Sequence, residues 1–415
     1  MNIRNVSLTC AALAILLGGC QKQPPPQRGI WEGTITLTDQ KRLPFQVFLD
    51  LTPPLPSGYF VNGGEQTPIP ELYARGDSLT FVISEYGAAM HAVWNGKQYV
   101  GEFLRFRKDT TRNQFELTPE GLSGEKAKKR ATADVPLVGK FQVLLKNPEG
   151  VDSATVATFW ARGDSVFGTF IRTDGDYGLM AGKQAGNSVQ LGRFTGWQGQ
   201  LMELTRNENR WTGTLYYRMP PSLAFELTPR TDVTLKIPEG KKTSVKDRRK
   251  PFTFTGLSIL GDTVTAADPR FRGKALIVDI MGTWCHNCMD AAPLLQRISS
   301  DFSKEGLEVV ALSFEITNDL LMARKNLLLY QERYGVEFTV LFCGSTEKSN
   351  VDAKLRSQLN NFSAYPTTLF IDRKGIVQYI HEGFQGPGTG EEYQRQIDMY
   401  YNLARKLVGS QSASR

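Results

Sequence analysis

Residues that build metal sites are scarce in this sequence. It contains five cysteines and three histidines among 415 residues. One Cys-x-x-Cys pair is present, but no second pair and no pair of histidines completes a zinc site around it. Zinc-finger spacings and RNA-binding aromatic motifs are missing as well. We therefore expect no bound metal, no other cofactor and no nucleic-acid partner.

A strong excess of one charge is also lacking. The formal net charge is only +7, and basic residues cluster in two runs, Lys126–Arg130 and Lys241–Lys250. Such runs bind nucleic acid or anionic lipid in some proteins and are solvated linkers in others. Because no recognition motif accompanies them, we interpret both runs as linkers.

Beyond its first residues the chain has no hydrophobic run long enough to cross a membrane. The run at the start, Leu8–Leu17, follows the basic residue Arg4 and is itself too short for a transmembrane helix. It ends in Leu17-Gly18-Gly19-Cys20, where small residues leave the backbone accessible to a peptidase. The pattern predicts a signal peptide at residues 1–19.

The end of this segment resembles a lipobox, the processing signal of bacterial lipoproteins. The resemblance implies cleavage before Cys20 and attachment of lipid to its thiol. The alternative is an ordinary secretory signal with an incidental cysteine. Residues 20–29 carry three consecutive prolines and form a semi-rigid tether. We expect a lipid-anchored protein of the bacterial cell envelope that faces the periplasm, on either the inner or the outer membrane.

Residues 30 to 235 have the pattern of an all-β region. Alternating runs such as Phe45–Leu49, Leu79–Ile83 and Phe141–Leu145 are separated by clusters of Gly, Asn, Asp and Pro. Long helical periodicity is missing here. The pattern predicts antiparallel sheets.

This region contains an internal repeat. The word Phe-Glu-Leu-Thr-Pro occurs at 115–119 and again at 225–229, an offset of 110 residues. The repeat predicts two tandem antiparallel β modules, at residues 30–120 and 137–232. Two small barrels and one joint sandwich are both compatible with it.

Turn sequences recur as well. Gly76-Asp-Ser-Leu and Gly186-Asn-Ser-Val share the same offset of 110 residues, and Ala-Arg-Gly-Asp-Ser occurs at 74–78 and 161–165. The Arg-Gly-Asp triplet has a cell-adhesion interpretation and a plain structural one. Because Gly-Asp-Ser is ordinary turn chemistry, we interpret both copies as turns between strands.

After a polar linker at residues 237–250, the pattern changes to alternating strands and helices. We predict an α/β domain at residues 251–410, with parallel strands and an antiparallel pair at its end. The predicted strands are 275–280, 307–314, 336–342, 368–372 and 376–381, and the predicted helices are 289–305, 319–334, 347–361 and 391–408.

The pair of Cys285 and Cys288 lies where a predicted strand passes into a helix. Two intervening residues bring both sulfur atoms to bonding distance in a first helical turn. At the helix N-terminus, unpaired amides and the helix dipole favour the thiolate of Cys285. We therefore expect Cys285 to attack and the more buried Cys288 to resolve the mixed disulfide.

Residues 250–410 resemble the thioredoxin superfamily, and within it the TlpA/ResA-like exported disulfide reductases. The resemblance rests on Gly-Thr-Trp-Cys-x-x-Cys at 282–288 and on Tyr365, Pro366 and Thr367, which match the cis-proline loop. It implies a redox-active disulfide faced by that loop. A cis X–Pro bond there leaves the preceding backbone free to pair with a substrate strand.

The resemblance also implies a role for Asp279, at the position of the superfamily's buried acid. Burial in an apolar strand raises a carboxyl pKa, so Asp279 can accept the proton of Cys288. The alternative is a structural acid bonded to backbone at the strand end. Many TlpA/ResA-like proteins have a glutamate three residues after the second cysteine. Here Ala291 stands there with Asp290 beside it, which leaves Asp279 as the better candidate.

Three further residues of the motif are candidates for tuning the disulfide or facing the substrate: Trp284, His286 and Asn287. Trp284 is expected to shield the disulfide. A protonated His286 would favour the Cys285 thiolate, whereas a solvent-facing imidazole would have no such effect. The remaining cysteine, Cys343, is either a buried structural thiol or a resolving cysteine.

These features predict a membrane-anchored thiol–disulfide oxidoreductase that reduces disulfides of exported proteins and takes electrons from a membrane thiol donor. One alternative is a ligand- or protein-binding lipoprotein whose thioredoxin-like domain is subsidiary or redox-sensing. A thiol peroxidase shares the fold, but the Trp-Cys-x-x-Cys arrangement argues against it. Substrate, donor and reduction potential stay open.

Overall fold

The computed structural model describes residues 23–106, 110–121, 135–147, 150–208, 210–232, 235 and 242–409. The predicted signal peptide, Cys20 and the basic run Lys126–Arg130 lie outside the described residues. In the described part, none of the helices is long and apolar enough to cross a membrane.

The first β module is an antiparallel meander. Its strands, as far as the structure describes them, are β1 (Arg28–Thr36), β2 (Arg42–Asp50), β3 (Ser57–Asn62), β4 (Glu65–Pro68), β5 (Glu71–Arg75), β6 (Ser78–Ile83), β7 (Ala88–Trp94), β8 (Tyr99–Arg105) and β9 (Thr111–Pro119). Buried and exposed residues alternate along β2 and β6 because one face of the sheet meets the core. The strand order is β4-β3-β2-β1-β9-β8-β7-β6-β5, so β1 pairs with β9 and the sheet stays open between β4 and β5.

The second module repeats this arrangement. Its described strands are β10 (Gly139–Asn147), β11 (Gly150–Arg162), β12 (Ser165–Arg172), β13 (Gly175–Asp176), β14 (Met180–Ala185), β15 (Ser188–Phe194), β16 (Gly199–Asn207), β17 (Arg210–Tyr217) and β18 (Leu223–Arg230). Here β12 pairs with both β11 and β14, and β10 pairs with β18. These pairings close the sheet into a barrel, which leaves it without open edges.

The repeated words fall on equivalent elements. The two Phe-Glu-Leu-Thr-Pro words lie on β9 and β18, each of which pairs with the first strand of its module. Gly76 and Gly186 occupy the β5–β6 and β14–β15 turns, with φ of 56° and 57°. The Arg-Gly-Asp triplets also lie in hairpin turns, but the second lies between β11 and β12 and is not equivalent to the first.

The two modules form two separate sheets, which pack against each other through β2 and β3 of the first and β15 and β16 of the second. Each has its own hydrophobic core, but Phe194 and Leu201 of the second module belong to the core of the first. The side chain of Asn62 ties them together, since it donates to Phe194 O at 2.9 Å and accepts from Phe194 N at 2.8 Å.

The C-terminal domain (residues 242–409) has an α/β fold. Its elements are β19 (Ser244–Val245), β20 (Thr255–Leu257), β21 (Thr263–Thr265), β22 (Ala275–Met281), α1 (His286–Phe302), β23 (Leu307–Glu315), α2 (Leu320–Tyr334), β24 (Thr339–Ser345), α3 (Lys348–Leu355), β25 (Leu359–Asn360), β26 (Thr367–Ile371), β27 (Val377–Glu382) and α4 (Glu391–Gly409). The main sheet has the order β21-β20-β24-β23-β22-β26-β27, with β22, β23 and β24 parallel.

One predicted helix is wrong in length. The pattern at residues 347–361 predicts a single helix, but α3 ends at Leu355 and β25 follows. The reason is tertiary, because β25 pairs with β19 inside the predicted linker, and the backbone N–H of Lys246 donates to Gln358 O at 2.8 Å. A long-range strand pair has replaced the last helical turn.

Candidate functional site

The two motif cysteines form a disulfide at the start of α1. Their Cα atoms are 5.2 Å apart. Cys285 is the N-cap residue, with extended backbone, and its sulfur accepts from the Cys288 backbone N–H at 3.2 Å. Its side chain thus lies where the amides of the first helical turn point, which favours a thiolate in the reduced state. Cys285 is 7% exposed and Cys288 only 1% exposed.

The turn before the disulfide is held by tight packing. A side chain at Gly282 would collide with the Trp284 indole, since a Cβ there would lie 2.2 Å from its Nε1. That nitrogen donates to Phe314 O at 2.7 Å, and the indole ring meets Tyr365 edge-on at 5.3 Å. Trp284 therefore connects the turn to the neighbouring strand and to the cis-proline loop.

Glu315, at the end of β23, also braces this turn and has no counterpart in the sequence-based prediction. It is fully buried and accepts from the backbone N–H of Thr283 at 3.1 Å and from the hydroxyls of Thr283 and Ser313, each at 2.6 Å. Burial raises the pKa of this carboxyl, and the bonds from these hydroxyls oppose the shift. In the sequence, Glu315 could have been recognised as an acidic residue that directly follows the predicted apolar strand 307–314.

The cis-proline loop lies where the resemblance implies. The Tyr365–Pro366 bond is cis, and Pro366 O accepts from Gly383 N at 2.8 Å. Thr367 is fully buried, and its hydroxyl donates to Ala364 O at 2.8 Å. The side chain of Thr367 therefore faces the interior, and its backbone lies in β26 between Ile280 of β22 and Glu382 of β27.

Asp279 lies in the middle of β22 and is 1% exposed. It pairs in register with Thr368 of β26, whose hydroxyl donates to Asp279 Oδ1 at 2.7 Å. Burial raises the pKa of Asp279 from 3.8 to about 7, and the bond from Thr368 opposes the shift. Such a carboxyl can take up and release a proton near neutral pH.

Cys343, on β24, is the free cysteine among the described residues. It is 4% exposed and belongs to a different hydrophobic cluster from Cys285 and Cys288. Burial raises the pKa of its thiol to about 12. These properties are those of a structural thiol, since a resolving cysteine needs access and thiolate character.

The second β module lies directly over the residues between the two cysteines. A Cβ on Gly175 would be 1.7 Å from Asn287 Nδ2, so only glycine fits there. The side chain of Asp176 accepts from Gly386 N at 2.5 Å, and Gln385 Nε2 donates to Arg172 O at 2.9 Å. The loop at 172–178 therefore covers the redox motif in this state.

Ionisable side chains from four elements meet around Arg193, next to His286. We call them the acid–base cluster: Glu65 of β4, Asp176 of β13, Arg193 of β15, and His286 and Asp290 of α1. The His286 Nε2 atom lies 3.0 Å from Arg193 Nη2 and 3.2 Å from Asp290 Oδ2. Burial and the Arg193 charge lower the pKa of His286 well below 6.5. The ring is therefore neutral and turned to the β module rather than to solvent.

The first β module contacts another part of the C-terminal domain. Arg333 of α2 pairs with Glu85 at 2.9 Å, and their side chains are only 14% and 5% exposed. Trp284 packs against the hydrophobic core of this module. Both modules thus take part in covering the redox motif.

In the described residues, no group of three or more His, Cys, Asp or Glu side chains is arranged to hold a metal ion. The acid–base cluster is held together by an arginine, which is a donor and not a ligand.

The C-terminal domain is similar in sequence to known proteins. Residues 245–380 match the model of the AhpC/TSA family. Over 159 residues the chain is 23% identical to the thioredoxin-like protein YneN of Bacillus subtilis (strain 168), across 38% of this chain and 83% of YneN. Over 128 residues it is 26% identical to the thiol-disulfide oxidoreductase ResA of Geobacillus kaustophilus (strain HTA426), across 31% of this chain and 64% of ResA.

A solved structure is similar as well. It is the thiol:disulfide interchange protein, a thioredoxin family protein, from Chlorobium tepidum TLS. The identity is 17% and the TM-score 0.29, across 38% of this chain and 94% of that one. The C-terminal domain belongs to the thioredoxin superfamily. Its sequence is similar to the thiol-disulfide oxidoreductase ResA, and the family match does not include the two β modules.

Proposed function

We propose that this protein is a lipid-anchored thiol–disulfide oxidoreductase that reduces disulfides of exported proteins through Cys285 and Cys288. The observation that carries the proposal is the Cys285–Cys288 disulfide at the N-terminus of α1, beside a cis Tyr365–Pro366 bond. ResA, to which the chain is similar, is named a thiol-disulfide oxidoreductase.

The reaction uses the two cysteines in turn. In the reduced protein, the Cys285 thiolate attacks a substrate disulfide, and one substrate sulfur leaves as a thiolate. The Cys288 thiolate then attacks the mixed disulfide, which releases the second substrate thiolate and forms the Cys285–Cys288 disulfide. Two electrons have passed to the substrate. A dithiol donor protein in the membrane returns them by the same exchange in reverse.

Asp279 supplies the proton transfer that this sequence needs. Cys288 must lose its proton before it attacks, and it is 1% exposed, so bulk water reaches it poorly. A buried carboxyl with a pKa of about 7 is half ionised at neutral pH and can accept that proton. The proton returns to the thiol when the disulfide is reduced again.

The other functions have less support. A thiol peroxidase is compatible with the AhpC/TSA family match, but YneN, ResA and the Chlorobium protein are named for thioredoxin likeness or thiol–disulfide exchange. A binding lipoprotein is supported by a groove of about 840 Å³ whose lining belongs to the two β modules alone. The groove is lined by charged, polar and apolar residues together, so the lining does not indicate one class of ligand.

Replacement of each cysteine tests the roles. We expect Cys285→Ser to abolish reduction of a protein disulfide such as that of insulin, and Cys288→Ser to trap mixed disulfides, because the attacking thiol remains without its resolving partner. Alkylation of the reduced protein at mildly acidic pH should modify Cys285 first. Faster modification of Cys288 would reverse the assignment.

The direction of exchange is tested by the reduction potential of the pair. A value near that of thioredoxin, about −270 mV, supports a reductase, and a value near that of DsbA, about −120 mV, contradicts it. The anchor is tested separately by metabolic labelling with a fatty acid. Cys20→Ala should remove the label and release a soluble protein, and an unlabelled wild-type protein would contradict the anchor.

A further inference from the structure

Arg193 is a cation that the β barrel supplies to the redox motif. It follows Val189 and Leu191 in the row of β15 residues that point into the second barrel, and it comes last in that row. Its side chain is only 1% exposed. The Nη2 atom lies 3.0 Å from His286 Nε2 and 3.3 Å from Glu65 Oε2. One guanidinium thus joins both β modules to the residue after Cys285.

This burial is costly and is not fully compensated. Within the described residues, the Nε and Nη1 atoms of Arg193 have no hydrogen-bond partner. The backbone at Gly178 lies against the guanidinium, and a Cβ there would be 2.0 Å from Nε. A buried, partly satisfied cation stabilises a fold less than an apolar side chain of similar size. The burial of Arg193 therefore indicates a role in the redox site rather than in the stability of the fold.

The contact fixes the protonation of His286. An arginine only donates hydrogen bonds, and Arg193 Nη2 is closer to His286 Nε2, at 3.0 Å, than to Nδ1, at 3.5 Å, so Nε2 is the accepting nitrogen and carries no proton. The neutral ring then has its proton on Nδ1. An unprotonated Nε2 cannot donate to Asp290, and its single lone pair already accepts from Arg193, so the 3.2 Å contact avoids repulsion between lone pairs only with a protonated Asp290 that shares this acceptor. Burial and the nearby Asp176 and Glu65 carboxyls raise the pKa of Asp290 well above 3.8, which agrees with this form.

We propose that Arg193 is a positioning residue of the redox site, which holds His286 in the neutral Nδ1–H form by donating to Nε2. The cation beside the cysteines is then a permanent guanidinium from the β barrel and not an imidazolium that titrates. Arg193 is the cation of the acid–base cluster, and Glu65, Asp176 and Asp290 face it. The effect of Arg193 on the reactivity of Cys285 rests on the proposed thiol–disulfide exchange. The protonation state of His286 does not depend on that function.

The first experiment needs no activity. Histidine nitrogen NMR of the full-length reduced and oxidised protein reports the tautomer of each ring, and only three histidines are present. The His286 signal is the one missing from His286→Gln. We expect a neutral Nδ1–H ring with no titration from pH 5 to 8. A protonated or Nε2–H ring in the wild-type protein would overturn the proposal, whatever the exchange activity.

The second experiment removes the cation. Arg193→Met should shift His286 away from the Nδ1–H form and, by leaving three carboxyls without their cation, slow alkylation of Cys285 near pH 6.5 by roughly threefold or more. Arg193→Lys keeps a hydrogen-bond donor and a positive charge. Compared with Arg193→Met, it should restore part of the Nδ1–H form of His286 and part of the alkylation rate of Cys285. An unchanged tautomer in Arg193→Met would overturn the proposal.

A matched control is Arg218→Met. Arg218 is another buried arginine of the second module, 7% exposed, and it donates to Thr111 of the first module. It should leave the His286 signal and the alkylation rate unchanged. Equal effects of the Arg193 and Arg218 variants would show that general loosening of the modules is responsible, and would overturn the specific role of Arg193.

Discussion

The C-terminal domain and its interface with the β modules bury charge in opposite ways. Inside the domain, Asp279 and Glu315 are buried carboxyls whose described partners are hydroxyl, amide and backbone donors, not cations. At the interface, Glu85 is paired with Arg333, and Glu65 with Arg193. In the first arrangement burial raises the carboxyl pKa and no cation opposes the rise, whereas in the second the charge of Arg193 opposes the rise that burial causes at Glu65.

The difference shows what each kind of burial is suited for. A buried carboxyl without a cation costs stability when it ionises, but it exchanges a proton near neutral pH. A buried ion pair does not exchange protons readily, and breaking it leaves a stranded charge. We therefore expect proton transfer to take place in the interior of the C-terminal domain, and docking of the β modules to depend on the ion pairs.

The largest effect is expected from the ion pair of α2 with the first module. Arg333→Met keeps a helix-forming side chain but strands the buried Glu85. We expect the docking of the first β module on α2 to weaken by roughly 3 kcal/mol or more. Hydrogen exchange of the amides in the turn Ser84–Tyr86 should then be about 100-fold faster. The double variant Glu85→Gln/Arg333→Met should recover part of the loss. Unchanged exchange in Arg333→Met would show that the pair does not hold the interface.

The second effect concerns Asp279. Asp279→Asn keeps the shape and the acceptor for Thr368 but removes the ionisable group. We expect thiol–disulfide exchange near neutral pH to slow by roughly 10-fold or more, because the base for Cys288 is lost. The loss should shrink at high pH, where hydroxide deprotonates the thiol directly. An unchanged rate from pH 6 to 9 would leave Asp279 as a structural acid.

The same variant has a pH-dependent effect on stability. Well below pH 3.8 the Asp279 carboxyl is neutral in both folded and unfolded chains, so the variant and wild type should be equally stable. Between the unfolded pKa of 3.8 and the folded pKa of about 7, only the unfolded chain loses its proton, so wild-type stability falls as the pH rises. Above pH 7 we expect Asp279→Asn to be more stable by roughly 4 kcal/mol at most, measured by denaturant unfolding. A constant difference across pH 3 to 8 would contradict the raised pKa.

The smallest effect is expected from an exposed ion pair at the same interface. Lys140 of the second module contacts Glu391 of α4 at 2.9 Å, and the Glu391 side chain is 75% exposed. Lys140→Met should change hydrogen exchange at the start of α4 by less than about threefold, because solvent screens such pairs. A loss comparable to that of Arg333→Met would erase the distinction between buried and exposed pairs.

Much of the architecture was predictable because it depends on local patterns. The alternation at Phe45–Leu49 falls on β2, and the predicted helix at 289–305 corresponds to α1, which begins three residues earlier at His286. The repeated words at 115–119 and 225–229 indicated two tandem antiparallel modules, and both words lie on the last strand of a module, which pairs with the first. Closure of the second barrel was not predictable, since it depends on pairing of β12 with β14 across the short strand β13.

The site was predictable only in part. The spacing of Cys285 and Cys288 identifies the disulfide, but Arg193 lies 93 residues from His286 and Glu65 a further 128 residues from Arg193. Neither belongs to a motif. In the sequence, Arg193 ends an alternating strand and is indistinguishable from an exposed basic residue.

The sequence by itself determined the candidate atoms for the chemistry, because these depend on short-range geometry. Two residues between cysteines at a helix N-terminus bring the sulfurs together, and an acid within an apolar strand is buried whatever surrounds the domain. Only the tertiary structure decided the state of His286, which the sequence left open between an imidazolium and a solvent-facing ring. Its protonation depends on burial and on the guanidinium of Arg193, and both come from a module that meets α1 only when the whole chain is folded.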